Sequence, residues 1–73
     1  MARFYFDYVD GRYIEDGEGE DHPNNAAALD AARQVASELA RNRTVVDARI
    51  VLKDERGLVI AEVPLKPDAH TAH

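Results

Sequence analysis

Apolar and polar residues alternate from Ala2 to Val9, which predicts a strand with Phe4, Phe6 and Tyr8 on one face and Arg3, Tyr5 and Asp7 on the other. Asp10-Gly11 signals a two-residue hairpin turn leading into a short second strand, roughly Arg12 to Glu15. In that register Tyr8 faces Tyr13 and Asp7 faces Ile14, an awkward match of a carboxylate with an aliphatic side chain. Periodicity then stops. Asp16 to Pro23 contains little but Gly and acids and reads as a loop. Asn24 is an N-cap candidate, because its side-chain oxygen can accept from the free N–H groups of a first helical turn. The helix should run from Asn25 to Arg41. Turning successive residues by about 100° gathers Ala28, Leu29, Ala32, Val35, Ala36, Leu39 and Ala40 into one stripe, with Asp30, Gln34, Ser37, Glu38 and Arg41 opposite. Asn42 is a plausible stop.

Two further strands, Val45 to Lys53 and Leu58 to Leu65, flank Asp54-Glu55-Arg56-Gly57. A four-residue loop would set Leu52 against Val59, Ile50 against Ala61, Ala48 against Val63 and Val46 against Leu65, leaving one face wholly apolar. A three-residue turn with a Gly bulge would set Ile50 against Glu62 and Val51 against Ala61, mixing the faces, so the four-residue loop is preferred. Val51, Leu58 and Ile60 then lie on the outer face among Asp47, Arg49, Lys53 and Glu62, where they need a cover. Pro64 cannot donate to a ladder and belongs on an edge. The expected fold class is α+β: a two-layer ββαββ domain over residues 1–65, a four-stranded, mostly antiparallel sheet with one helix on one face. A right-handed crossover suggests the strand order second, first, third, fourth. Residues 66–73 read as a disordered tail.

Size changes the picture first. A 73-residue chain buries only about 60% of its unfolded surface, and it has no Cys or Trp to reinforce the core. Self-association is therefore an expectation, with Tyr5, Val51, Leu58 and Ile60 as interface candidates. Charge comes next: residues 1–25 hold seven acids and two bases, while residues 26–73 hold seven of each, so the whole net charge of −5 sits in the first third. With no basic stripe, binding to a phosphate backbone is not expected. No segment approaches the roughly 20 apolar residues of a membrane span, and no apolar leader follows Met1. These features, with the lack of Cys, point to a cytoplasmic protein.

The opening "RFYFDYVDG", the acidic Gly-containing loop ending at Pro23, the Ala-rich helix and the closing "VLKDERGLVIAEVPL" together resemble a family of small uncharacterised proteins found chiefly in rhizobium-type alpha-proteobacteria, known as a domain of unknown function. The resemblance runs from Arg3 to Leu65. Where that family has Asp at the helix start and Glu or Arg in the first turns, this chain has Asn24 and a run of Ala, a change of capping chemistry. The resemblance implies a small domain, often a complete protein, and carries no activity or catalytic residue with it.

Candidate chemistry is sparse. Glu15, Asp16, Glu18, Glu20 and Asp21 alternate with Gly17 and Gly19, and a Gly-rich loop can fold carboxylates onto a hard cation. Yet the D-x-D-x-D-G core of a Ca²⁺ loop is missing, and a solvated acidic loop is the simpler reading. Acid–base catalysis would need a buried carboxyl, and no apolar run adjoins these acids beyond Tyr13-Ile14. His22 reads as an exposed loop residue, and His70 and His73 fall in the tail. Ser37 and Thr44 have no base in reach by sequence, and no phosphate loop or nucleophile elbow is present. The aromatic residues of the first strand lack the basic groove of a nucleic-acid stacking platform. The expectation is a non-enzymatic protein-interaction module that self-associates through its sheet, without cofactor or metal. The alternative is a divalent-cation binder using Asp16 to Asp21.

Overall fold

The structure, a computed structural model, describes residues 1–42 and 48–65. Its elements are β1 (Ala2–Val9), β2 (Tyr13–Ile14), β3 (Glu20–His22), α1 (Asn25–Asn42), β4 (Arg49–Asp54) and β5 (Val59–Pro64). All strand pairs are antiparallel in the order β2-β1-β4-β5, with β3 also beside β1. The helix covers one face, so the α+β class and the order of the four expected strands hold.

Three local differences follow from register. The β1–β2 hairpin pairs Tyr8 with Ile14 and Val9 with Tyr13, one residue away from the expected pairing. Gly11 sits at its tip, and the Asp10 N–H donates to the Arg12 carbonyl at 3.1 Å. Because side chains alternate, this slip exchanges the faces of Tyr13 and Ile14 and puts Tyr13 on the face that carries Asp7. Second, Glu20–His22 is a strand rather than loop, matched to β1 as Ala2–His22, Arg3–Asp21 and Phe4–Glu20. Nothing in that acidic triplet favours a strand. It forms because the first residues of β1 extend past β2 and their backbone groups need partners.

The β4–β5 hairpin uses the turn that pattern reasoning rejects. The Asp54 N–H donates to the Leu58 carbonyl at 3.0 Å and the Gly57 N–H to the Asp54 carbonyl at 2.9 Å, closing a three-residue loop. Gly57 takes φ +86°, the left-handed conformation that such a loop requires. Lys53 then pairs with Val59, but Leu52 pairs with Ala61, so Ile60 is an extra residue in β5. This bulge restores the parity that the short turn would have reversed. Ile50 faces Val63 and Leu52 faces Ala61, which keeps the apolar face intact, though not with the expected partners. The Leu65 N–H donates to the Ala48 carbonyl at 2.9 Å, so by ladder alternation the Pro64 nitrogen points away from β4, where it needs no hydrogen.

The Asn24 side chain caps α1 by accepting from the Ala27 N–H at 2.8 Å. Ala28, Ala32 and Ala36 are buried along the predicted stripe. These small side chains let the helix lie close to the sheet, where the large buried groups are Phe4, Ile50, Leu52 and Leu65. Leu29, Val35, Leu39 and Ala40 pack around them partly covered. His22 is not the exposed loop residue of the sequence reading. Its side chain is only 19% exposed, and its ring centroid lies 6.1 Å from Phe4 and 5.9 Å from Phe6. The expected start of the third strand at residues 45–47, the Val46–Leu65 pairing and the tail at 66–73 lie outside the described residues. No described helix is long and apolar enough to cross a membrane.

Gly57 has nothing within 4 Å of where a Cβ would stand, so Gly57→Ala carries backbone strain alone. It should lower stability by about 1 kcal/mol, read as a fall in the urea midpoint with an unchanged slope.

Candidate functional site

Asp7 is the one charged residue in the buried interior of the described structure, with 0% of its surface exposed. A carboxylate taken out of water must be paired and hydrogen-bonded. Three segments supply its donors. Lys53 of β4 places its ammonium 2.6 Å from Oδ2. The Tyr13 hydroxyl, brought to this face by the hairpin slip, donates to Oδ2 at 2.7 Å, and the Asp16 N–H donates to Oδ1 at 3.0 Å.

Asp16 extends the arrangement into the acidic loop. Its Oδ2 accepts from the Phe6 N–H at 3.2 Å, and its Oδ1 accepts from the Glu18 N–H at 3.0 Å and the Gly19 N–H at 3.2 Å. Phe6 falls between the stretches of β1 paired by β2 and by β3. The carboxylate of Asp16 thus stands where a neighbouring strand's carbonyl would be. Gly19 closes the loop at φ +74°, and a Cβ there would lie 2.8 Å from the Phe4 carbonyl oxygen and 2.9 Å from Arg3 Cγ.

Burial by itself raises the pKa of Asp7, but the Asp16 N–H, Lys53 and Tyr13 together outweigh it and hold the carboxyl below its ordinary 3.8. Asp16 behaves alike: burial raises it, and the N–H groups of Glu18, Gly19 and Phe6 bring it below 3.8. The hydrogen bond to Asp7 is the largest influence that raises Tyr13 above 10.0 and Lys53 above 10.5. Every member is thereby fixed in its neutral-pH charge state. A general acid or base needs the opposite displacement, toward neutrality.

The five carboxylates singled out in the loop do not converge. Asp16 holds backbone N–H groups, Glu20 meets His22 Nε2 at 3.1 Å, and Asp21 meets Arg3 Nε at 3.4 Å. Glu15 and Glu18 are exposed, although Arg3 donates to the Glu18 carbonyl at 2.7 Å. No group of three His, Cys, Asp or Glu side chains among the described residues is arranged to hold a metal. A groove of about 240 Å³ lies between this loop and the β4–β5 hairpin, lined by Tyr5, Glu15, Asp16, Lys53, Asp54 and Glu55. Most of its charges are already engaged: Lys53 by Asp7, Asp16 as above, and Asp54 by the Arg56 and Leu58 N–H groups, each at 2.9 Å.

The expected outer-face cluster does not assemble. Val51 is on that face but only 3% exposed, between the cross-strand neighbours Asp7 and Glu62. The pairs Lys53–Asp7 at 2.6 Å and Arg49–Glu62 at 3.1 Å bridge β4 to both flanking strands beside it. Ile60 is turned by the bulge toward the core group of Phe4, Ala28 and Leu52. Tyr5 is half-buried, and Leu58, 63% exposed, is uncovered but not on the expected face, because the three-residue turn sets Val59 beside Lys53 on the outer face and Leu58 on the other. Sequence reasoning missed Asp7, Lys53 and Tyr13 as one unit. The available signal was the Asp7–Ile14 mismatch, which a one-residue slip removes.

This fold and site define a small sheet-and-helix domain organised around a buried carboxylate that accepts from three donors. Over residues 3–66 its sequence matches the family model of a domain of unknown function, DUF6894, and the chain belongs to that family. No curated protein and no solved structure matches it.

Asp7→Ala leaves Lys53, Tyr13 and the Asp16 N–H without their common acceptor and should cost roughly 3 kcal/mol at neutral pH. Asp7 and Asp16, with lowered values, contribute fully above the unfolded carboxyl value of 3.8 and lose that contribution as pH falls through their lower folded values. Lys53 and Tyr13, with raised values, contribute fully below 10.5 and 10.0 and lose it as pH rises through their folded values. Denaturation midpoints should therefore be level between about pH 5 and 9 and fall on both sides, with a shallower acid limb in Asp7→Ala. Gly19→Ala should cost more than Gly57→Ala, because a steric clash adds to the same strain. Equal losses in parallel urea titrations would contradict the close approach at Gly19.

Proposed function

We propose that this chain is a non-enzymatic protein-interaction module that self-associates through its sheet. The observation that carries the non-enzymatic part is the internal pairing of Asp7 and Asp16, each with three donors. Their acceptor atoms are engaged inside the fold, and their ionisation is displaced away from neutrality. General acid–base chemistry needs a group that exchanges a proton near pH 7.

The surface for association differs from the one expected. Leu58 and Val59, 63% and 51% exposed, are consecutive where the hairpin enters β5, the outermost strand of its edge, and alternation puts one apolar side chain on each face of that hairpin end. Continuous strand addition along β5 is opposed by the Ile60 bulge, by the charge of Glu62 and by Pro64. A two-fold contact between hairpin ends, centred on the outer-face Val59 of each copy with Leu58 at its margin, uses apolar area without a long ladder. Such a contact is small, so its affinity is modest.

Sedimentation equilibrium over a wide concentration range tests this reading. Mass should rise with concentration in the native chain and remain that of the monomer in Leu58→Lys/Val59→Lys. A native chain still monomeric at high micromolar concentration removes self-association. A hydrolase or transferase activity abolished by Asp7→Asn in a still-folded protein removes the non-enzymatic reading.

A further inference from the structure

We infer that Glu15–Gly19 is a strap that opens as a unit while the sheet and helix stay folded, with the Asp7 carboxylate as its catch. The strap contains only Glu, Asp and Gly, so no apolar side chain of its own anchors it. What holds it is polar: the Asp16 N–H on Asp7 at 3.0 Å, the Asp16 carboxylate on the Phe6 N–H at 3.2 Å, and Arg3 on the Glu18 carbonyl at 2.7 Å. Segments with few buried apolar contacts and exposed hydrogen bonds open at far lower free energy than the core. Both flanks are secured separately, β2 by its pairing with Tyr8 and Val9 and β3 by its pairing with Ala2 to Phe4. Lys53 and Tyr13 can remain on Asp7 when Asp16 leaves, so opening does not strand the buried charge. It bares the edge of β1 at Phe6, between two stretches that stay paired. This device is independent of self-association through the hairpin end.

The distinguishing residue is Phe6, a mid-strand residue whose N–H is protected only through the strap. Native-state hydrogen exchange followed by NMR should place the amides of Phe6, Asp16, Glu18 and Gly19 in one class. That class should exchange at least about tenfold faster than Ile50 and Leu52 of the central strand β4. Tyr13→Phe, which leaves Asp7 with Lys53 alone once the Asp16 N–H departs, should slow these four amides and leave Ile50 and Leu52 unchanged. Arg3→Ala, which removes the tie to Glu18 and none from Asp7, should accelerate them several-fold. A Phe6 amide as slow as Leu52, or variants that accelerate all amides equally, would show that the strap opens only with the whole domain and would overturn the inference.

Discussion

A carboxylate with no exposure to water constrains nearly everything on one side of this sheet. Desolvating an ion costs several kcal/mol even after the surroundings relax, and the cost is offset only when the remaining lone pairs meet donors. Asp7 collects those donors from β2 and the acidic loop, six and nine residues along the chain, and from distant β4. The slip of the first hairpin turns the Tyr13 hydroxyl toward Asp7. The loop must return close enough for the Asp16 N–H to reach Asp7, and that return brings Gly19 against the backbone of Phe4. Lys53 must lie on the polar face of β4, which ties the loop side of the sheet to its centre.

The second constraint is parity. One face of β4 and β5 is needed for the Ala-lined helix, and a three-residue turn alone would send alternate residues to the wrong side. Ile60 corrects the count and adds its own side chain to the core. The same bulge disturbs the outer edge of β5, which also carries Glu62 and Pro64. The opposite edge is divided between β2 and β3, with the loop between them. Both edges are therefore poor templates for uncontrolled strand addition, a useful property in a domain too small to hide its sheet behind a second layer of helices.

Charge in the first third of the chain is less a reservoir of ligands than a set of local tasks. Asp7 and Asp16 bind the loop to the sheet, Glu20 meets His22, and Asp21 meets Arg3. Glu15 and Glu18 face solvent. This division spreads the acidic charge over separate partners rather than gathering it at one point. Each carboxylate that approaches another does so with N–H, ammonium or guanidinium donors around it.

By itself, the sequence determined the features that depend on neighbours along the chain. The alternation of Phe4, Phe6 and Tyr8 specifies β1, and the spacing of Ala28, Ala32 and Ala36 with the Asn24 cap specifies α1, because period and capping are local properties. The edge position of Pro64 follows from its missing N–H. Only the tertiary structure decided which residue stands opposite which. The β3 pairing, the three-residue turn with its compensating bulge, the burial of Val51 and the gathering of Tyr13, Asp16 and Lys53 on Asp7 all depend on contacts between separate elements of the fold. There a shift of one residue exchanges the two faces of a strand, and the free energy of placing one buried charge among its donors selects the register.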